Sequence, residues 1–205
     1  MTGARLFLPG LLGFALCSWS ALAVESDQET LDRSLRQEAI TGAVSRIERL
    51  IKMGADINGK AAHGESALEY AIRFGRHGIA LKLIQLGADP NPEDDSGVTP
   101  LLRAAGDPNA SRVVNALLKA GADVNHQDLY GRTALMNAAH ADCVRTVAII
   151  LTQARDTVKI DAQNDLFQTA SDLAREGLIP QMLELARKYQ RGELTPKHLN
   201  RLPDS

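Results

Sequence analysis

The chain has 205 residues, with 23 basic and 25 acidic side chains and a formal charge of −2 at neutral pH. That balance excludes the electrostatic footprint of a nucleic-acid or anionic-membrane binder. The length suffices to bury a core without staples, and two cysteines make no disulfide scaffold.

At the N-terminus, "MTGARLFLPGLLGFALCSWSALA" carries one positive charge, Arg5, then an apolar run from Leu6 to Trp19, and closes on Ala21-Leu22-Ala23. A small-x-small ending after an apolar run is what a signal peptidase accepts. A membrane anchor needs about 20 apolar residues; this run is shorter and is broken by Pro9-Gly10. Cys17 invites a lipoprotein reading, but the larger Leu16 stands where lipidation signals place a small residue. Residues 1–23 are therefore expected to be a signal peptide, cleaved after Ala23. The mature 182 residues would carry 22 basic and 25 acidic side chains, a charge of −3, with Cys143 their single cysteine. Their aromatics would be Tyr70, Phe74, Tyr130, Phe167 and Tyr189.

Further along, two registers repeat in phase. "GADIN" begins at Gly54, "GADPN" at Gly87 and "GADVN" at Gly121, spacings of 33 and 34 residues. The second register is "HGESALEYA" (63–71), "SGVTPLLRA" (96–104) and "YGRTALMNA" (130–138), with a fainter "LFQTASDLA" at 166–174. Apolar stretches at 79–86, 113–120 and 147–154 predict helices between them. Gly54, Gly87 and Gly121 follow helices, where a left-handed residue ends the run. Ser66, Thr99, Thr133 and Thr169 stand as N-caps, Pro100 at a first helical position, and Ser66 with Glu69 as a capping box. Each unit reads helix, short turn, helix, then a protruding turn containing Gly64, Gly97 or Gly131.

The period, the T-P/A-L near each unit's start and the G-A-D-x-N at its end resemble ankyrin repeats. The resemblance implies an all-α ankyrin-repeat solenoid of five helix-pair units with protruding β-turn fingers. The units are placed at 26–58, 59–91, 92–125, 126–161 and 162–190, with a C-terminal tail over 191–205. The first and last have drifted, as end units that must meet water do, and Pro180 is read as starting the second helix of the last. Two departures carry expectations. The histidine that ankyrin repeats carry after T-P-L is replaced by Glu69, Leu102, Met136 and Asp172, so its hydrogen bonds between units should be missing. "QARDTVKID" (153–161) is longer than the segment it replaces, so the last finger should be distorted.

No catalytic pattern is present: there is no G-x-S-x-G, H-E-x-x-H, phosphate-cradling glycine loop or C-x-x-C. His140 and Cys143, with His126 nearby in sequence, are a minimal set for a haem or metal carrier, short of the three or four ligands zinc wants. No cofactor and no metal are expected. Glu93-Asp94-Asp95 reads as a solvated finger tip.

The resemblance leaves surface. Fingers and first-helix faces of ankyrin proteins line a concave groove that binds other proteins. On this chain those positions give Lys60, His63, Arg73, Phe74, Glu93, Asp95, Gln127, Leu129, Tyr130, Arg132, His140, Leu166 and Phe167, with Glu65 beside them. Phe167 takes the place of the finger glycine. Tyr130 and Phe167 read either as partner anchors or as a stack between neighbouring fingers. The expected function is a monomeric, non-enzymatic protein-binding module in a bacterial periplasm, binding neither nucleic acid nor membrane. Its partner would be a toxin, neutralised by an immunity-type inhibitor, or a resident periplasmic enzyme such as catalase, supported against peroxide.

Overall fold

The computed structural model describes residues 12–193, with side chains from residue 27 onward. Among these residues are ten helices and no strand. The helices pair in chain order: α1 (Leu12–Thr41) with α2 (Val44–Lys52), α3 (Ala67–Arg73) with α4 (His77–Gln85), and α5 (Pro100–Ala105) with α6 (Ser111–Lys119). Then come α7 (Ala134–His140) with α8 (Val144–Gln153), and α9 (Ala170–Leu173) with α10 (Leu178–Gln190). The architecture is the expected all-α solenoid of five helix pairs. Residues 1–11 of the expected signal peptide and 194–205 of the expected tail lie outside the described residues. None of the described helices is long and apolar enough to cross a membrane.

Helices α1, α3, α5, α7 and α9 stack in one row, and α4, α6, α8 and α10 in a second behind it. After α1 the front-row helices are short and rich in alanine. Ala67, Ala71, Ala104, Ala105, Ala134, Ala138 and Ala139 are buried, which lets neighbouring backbones approach. Leu68, Leu83, Leu101, Leu117, Leu135 and Ile150 fill the space between the rows, each worth about 1.5–3 kcal/mol of burial. The hydroxyls of Ser66, Thr99, Thr133 and Thr169 cap the front helices as predicted. Pro180 is the third residue of α10 rather than its first, because Leu178 and Ile179 already belong to the helix.

The D-x-N of each of the first three units joins it to the next. Within a unit the aspartate accepts the amide of the asparagine at 2.9 Å, in Asp56–Asn58, Asp89–Asn91 and Asp123–Asn125. That asparagine then reaches across. Asn58 Oδ1 accepts the Asp89 amide at 2.9 Å, and Asn91 and Asn125 accept those of Asp123 and Lys159 at 2.8 Å. Nδ2 of Asn91 and of Asn125 donates to the carbonyls of Gly121 and Thr157. The ends substitute other side chains for the same purpose. Asp32 on α1 accepts the Asp56 amide at 2.7 Å, and Gln190 on α10 donates to the Val158 carbonyl at 2.9 Å. The extra residues of 153–161 form a turn closed by Val158 N to Ala154 O before Lys159 enters this ladder, so the last finger is regular and not distorted.

Each finger is a tight hairpin with three residues between its paired ends. Its outer pairs are Ala61/Glu65, Asp94/Val98, Asp128/Arg132 and Asn164/Gln168. A left-handed third loop residue closes such a turn, and Gly64, Gly97, Gly131 and Phe167 fill that place. Neighbouring fingers are bonded as well: Asp95 N to His63 O, Leu129 N to Ser96 O, and Asp165 N to Tyr130 O, at 3.1–3.2 Å. This contact is why glycine is needed twice over at Gly131. Its φ is +71°, and a Cβ would stand 3.0 Å from the Asn164 Cα of the following finger. Phe167 closes the last finger at φ +60°, bearing the same backbone strain.

The two positions should respond oppositely. Gly131→Ala is expected to lose about 1–3 kcal/mol through strain and crowding. Phe167→Gly should leave stability unchanged or raise it by up to about 1 kcal/mol, strain relief being offset by a freer unfolded chain. Thermal or urea melts check both; a Phe167→Gly chain less stable than wild type would contradict this account of the finger.

Candidate functional site

The hollow face beneath the fingers is built on three ion pairs from consecutive units. Arg73 at the end of α3 holds Glu65, Arg103 in α5 holds Asp94 at 2.6 Å, and Arg132 holds Asp128 at 2.7 Å. In each pair the carboxylate is the buried partner, at 7%, 11% and 0% side-chain exposure, and the guanidinium faces outward, at 52%, 22% and 44%. The burial has a local cause. Asp94 and Asp128 turn inward to accept two amides of their own fingers, Ser96 and Val98 in one, Tyr130 and Arg132 in the other. Asn164 makes the same two bonds to Leu166 and Gln168, and its Nδ2 donates to Gln168 Oε1, a neutral version of the Asp128–Arg132 pair.

Above this row the finger tips are apolar. Leu129, Tyr130, Leu166 and Phe167 are 62–80% exposed, the most exposed large apolar side chains described. A hollow of about 430 Å³ gathers His63, Arg73, Asp95, Arg103, Tyr130 and Arg132. A second, between the last two fingers, is lined by Tyr130, Arg132, Asn164, Asp165 and Leu166. A third runs along the helix face from Arg73 past Arg103 and Arg132 to Asn137 and His140.

Residues 82–164 match the family model for ankyrin repeats, with three copies. The fold is an ankyrin-repeat solenoid. Among similar proteins, an ADP-ribosylation factor GTPase-activating protein of Arabidopsis thaliana is 41% identical over 58 residues, 28% of this chain and 8% of that protein. An E3 ubiquitin-protein ligase of Drosophila melanogaster is 41% identical over 63 residues, 31% of this chain and 2% of the ligase. The mitochondrial disaggregase of Bos taurus is 30% identical over 164 residues, 78% of this chain and 24% of the disaggregase. The chain thus spans less than a tenth of the first two and under a quarter of the third. Ankyrin repeats are protein–protein interaction modules, presenting an extended concave surface.

On that ankyrin surface the sequence-derived residues fall into two groups. His63, Arg73, Asp95, Tyr130, Arg132, His140 and Leu166 line the hollows. Lys60, Phe74, Glu93, Gln127, Leu129 and Phe167 lie outside them. Of these, Lys60 Nζ donates to the Glu93 carbonyl, and Gln127 bridges two fingers through the carbonyls of Gly131 and Gln163. Phe74 is stacked on Tyr70, with ring centroids 6.3 Å apart. Tyr130 and Phe167 form no ring pair among the described residues; the Arg132 guanidinium lies over Tyr130 instead, 5.1 Å from its centroid.

Other expectations are corrected. Glu65 is buried under Arg73 rather than displayed, and Asp94 is no solvated tip, since finger amides and Arg103 consume its carboxylate. The hydrogen bonds lost with the family histidine are replaced. Asn137 Nδ2 donates to the Leu102 carbonyl at 3.0 Å, and His126 Nε2 meets the Gly97 carbonyl at 2.8 Å. His126 is thereby held inside a finger joint, and Cys143 is buried with its thiol pushed up by desolvation. Neither joins His140 in any group of three metal-ligating side chains among the described residues. Arg103 and Asp94 are the site residues that sequence reading missed. The available signal was Arg103, the one charge in the otherwise apolar "PLLRAA".

Glu69 occupies the histidine position of the second unit and is wholly buried. Its Oε2 accepts the Ser66 amide at 2.7 Å, while Oε1 has no partner. Desolvation raises its carboxyl above the ordinary value, against the opposing pull of the Ser66 hydrogen bonds. An acid raised by folding adds stability that is complete below its unfolded value, about 4.3, and is lost as pH rises through the folded value. Subtracting the stability of wild type from that of Glu69→Gln should therefore give a difference that grows with pH across that window. A pH-independent difference in urea melts would contradict it.

Proposed function

We propose that this chain is an exported, non-enzymatic protein-binding module that grips its partner across the fingers and the hollow helix face. The observation that carries the reading is the row of exposed apolar tips, Leu129, Tyr130, Leu166 and Phe167, one of them kept at a strained φ of +60° where glycine would fit. Exposed aromatics flanked by arginine are the composition of binding hot spots. The tips are also preset, because neighbouring fingers are bonded through their backbones, so little ordering entropy opposes binding.

Export rests on the signal sequence. Cleavage after Ala23 leaves the part of α1 that holds the second unit, including the buried Leu35 and Ala39 and the ladder residue Asp32. In the periplasm the same surface serves either of two uses: an immunity-type inhibitor covering a toxin's active site, or an accessory factor for a resident enzyme such as catalase. Turnover of the captured partner separates them, stopping in the first case and persisting in the second.

One experiment tests the proposal. A tagged chain recovered from the periplasm should have the intact mass of a protein beginning at Val24 and should bring a partner with it. Tyr130→Ala/Phe167→Ala should keep its helical circular dichroism and its melting temperature, because exposed tips bury little. Each truncation should weaken capture by about 2 kcal/mol, roughly thirtyfold. A double mutant that melts many degrees lower yet still captures the partner would make these side chains structural and overturn the reading.

A further inference from the structure

We infer that the segment of the partner seated on this surface is acidic, with an apolar side chain beside its carboxylate; this rests on the protein-binding reading above. The three ion pairs of the groove all point the same way. Carboxylates of Glu65, Asp94 and Asp128 are the more buried member of each pair, and guanidiniums of Arg73, Arg103 and Arg132 line one hollow, which Glu65, Asp94 and Asp95 also border. Each pair is neutral in sum, yet each turns its positive end outward.

A guanidinium has five N–H donors, and the internal bonds use few of them. Arg73 spends Nη1 on Glu65 and Arg103 spends Nη2 on Asp94, while Arg103 Nε is buried without a partner. Arg132 gives Nε and Nη2 to Asp128. The remaining Nη donors of the three arginines that line the hollow suit a carboxylate, which can accept from two guanidiniums at once. The exposed acids nearby have imidazole neighbours of their own: Asp95 lies 3.5 Å from His63, and Glu93 lies 3.7 Å from His126. Tyr130 and Arg132 also line the adjoining hollow, where Leu166 offers an apolar wall and Asp165 the single acid. A carboxylate in the first hollow therefore places its neighbour against Tyr130 and Leu166.

The last finger supplies a variant that should fold. Asp128→Asn/Arg132→Gln copies the Asn164–Gln168 pair of the next unit, which makes the same turn without charge. Glu48→Gln/Lys82→Gln removes an ion pair between α2 and α4, away from the groove, and serves as control. The probe is a short fluorescein-labelled peptide of Glu and Phe, with counterparts carrying Gln or Lys in place of every Glu. Anisotropy should show the Glu peptide binding wild type and the control pair at least about tenfold more tightly than its counterparts, and weakening as salt rises. Asp128→Asn/Arg132→Gln should lose about tenfold while keeping its melting temperature within a few degrees. Equal binding of Glu, Gln and Lys peptides by wild type, or a groove variant that binds the Glu peptide as wild type does, would overturn the acidic inference. Partner capture sensitive to Tyr130→Ala/Phe167→Ala would still leave protein binding standing, so the two failures are distinguishable.

Discussion

Asparagine side chains reaching from one unit to the backbone of the next hold the array in register. Stacked units contact only their neighbours, so whatever fixes one joint fixes the geometry of the surface that spans it. Here the two central joints are tied twice, and each outer joint by one of the two means. At one level Asn58, Asn91 and Asn125 accept amides of the following unit, and at another the finger backbones bond directly to one another. A net hydrogen bond contributes about 1 kcal/mol, and its repetition along the array is what turns separate exposed loops into a continuous surface.

That constraint explains the choices made at the tips. A finger followed by another leaves a Cβ at its left-handed position only 3.0–3.3 Å from the next backbone, tightest at Gly131 against Asn164. Phe167 closes the last finger, and the left-handed strain there coincides with the most exposed large apolar side chain described. Buried carboxylates follow from the same turns: Asp94 and Asp128 must face inward to hold finger amides, and an arginine then neutralises each from the groove side. The arginines that face the groove are thus a by-product of how the fingers are closed.

Much of the fold is legible in the sequence, because its punctuation is local. A cap hydroxyl, a helix-ending glycine or a proline at a first helical position acts on its own few residues, and Ser66, Thr99, Thr133 and Gly87 all do so as read. What escapes is whatever depends on the next unit. The D-x-N motif is visible as a repeat, but its role as a tie appears only once Asn91 is seen beside Asp123. The acidic run Glu93-Asp94-Asp95 reads as one solvated patch, yet alternate residues of a hairpin face opposite ways, and Asp94 is claimed by Arg103 nine residues on. Tyr130 reads as a possible stacking partner of Phe167, but Arg132, two residues away, covers its ring first.

The central claim is that the fingers form one hydrogen-bonded surface rather than independent loops, and native-state amide hydrogen exchange tests it most directly. The amides of Asp95, Leu129 and Asp165 sit on exposed tips but donate to the preceding finger. They should exchange slowly, with protection approaching that of Arg103 and Asn137, whose amides donate to the Thr99 and Thr133 carbonyls within the front helices. Asn91→Ala should reduce protection at Asp123, the amide it holds. Tip amides that exchange at the rate of an unstructured chain, while the helices stay protected, would contradict the account.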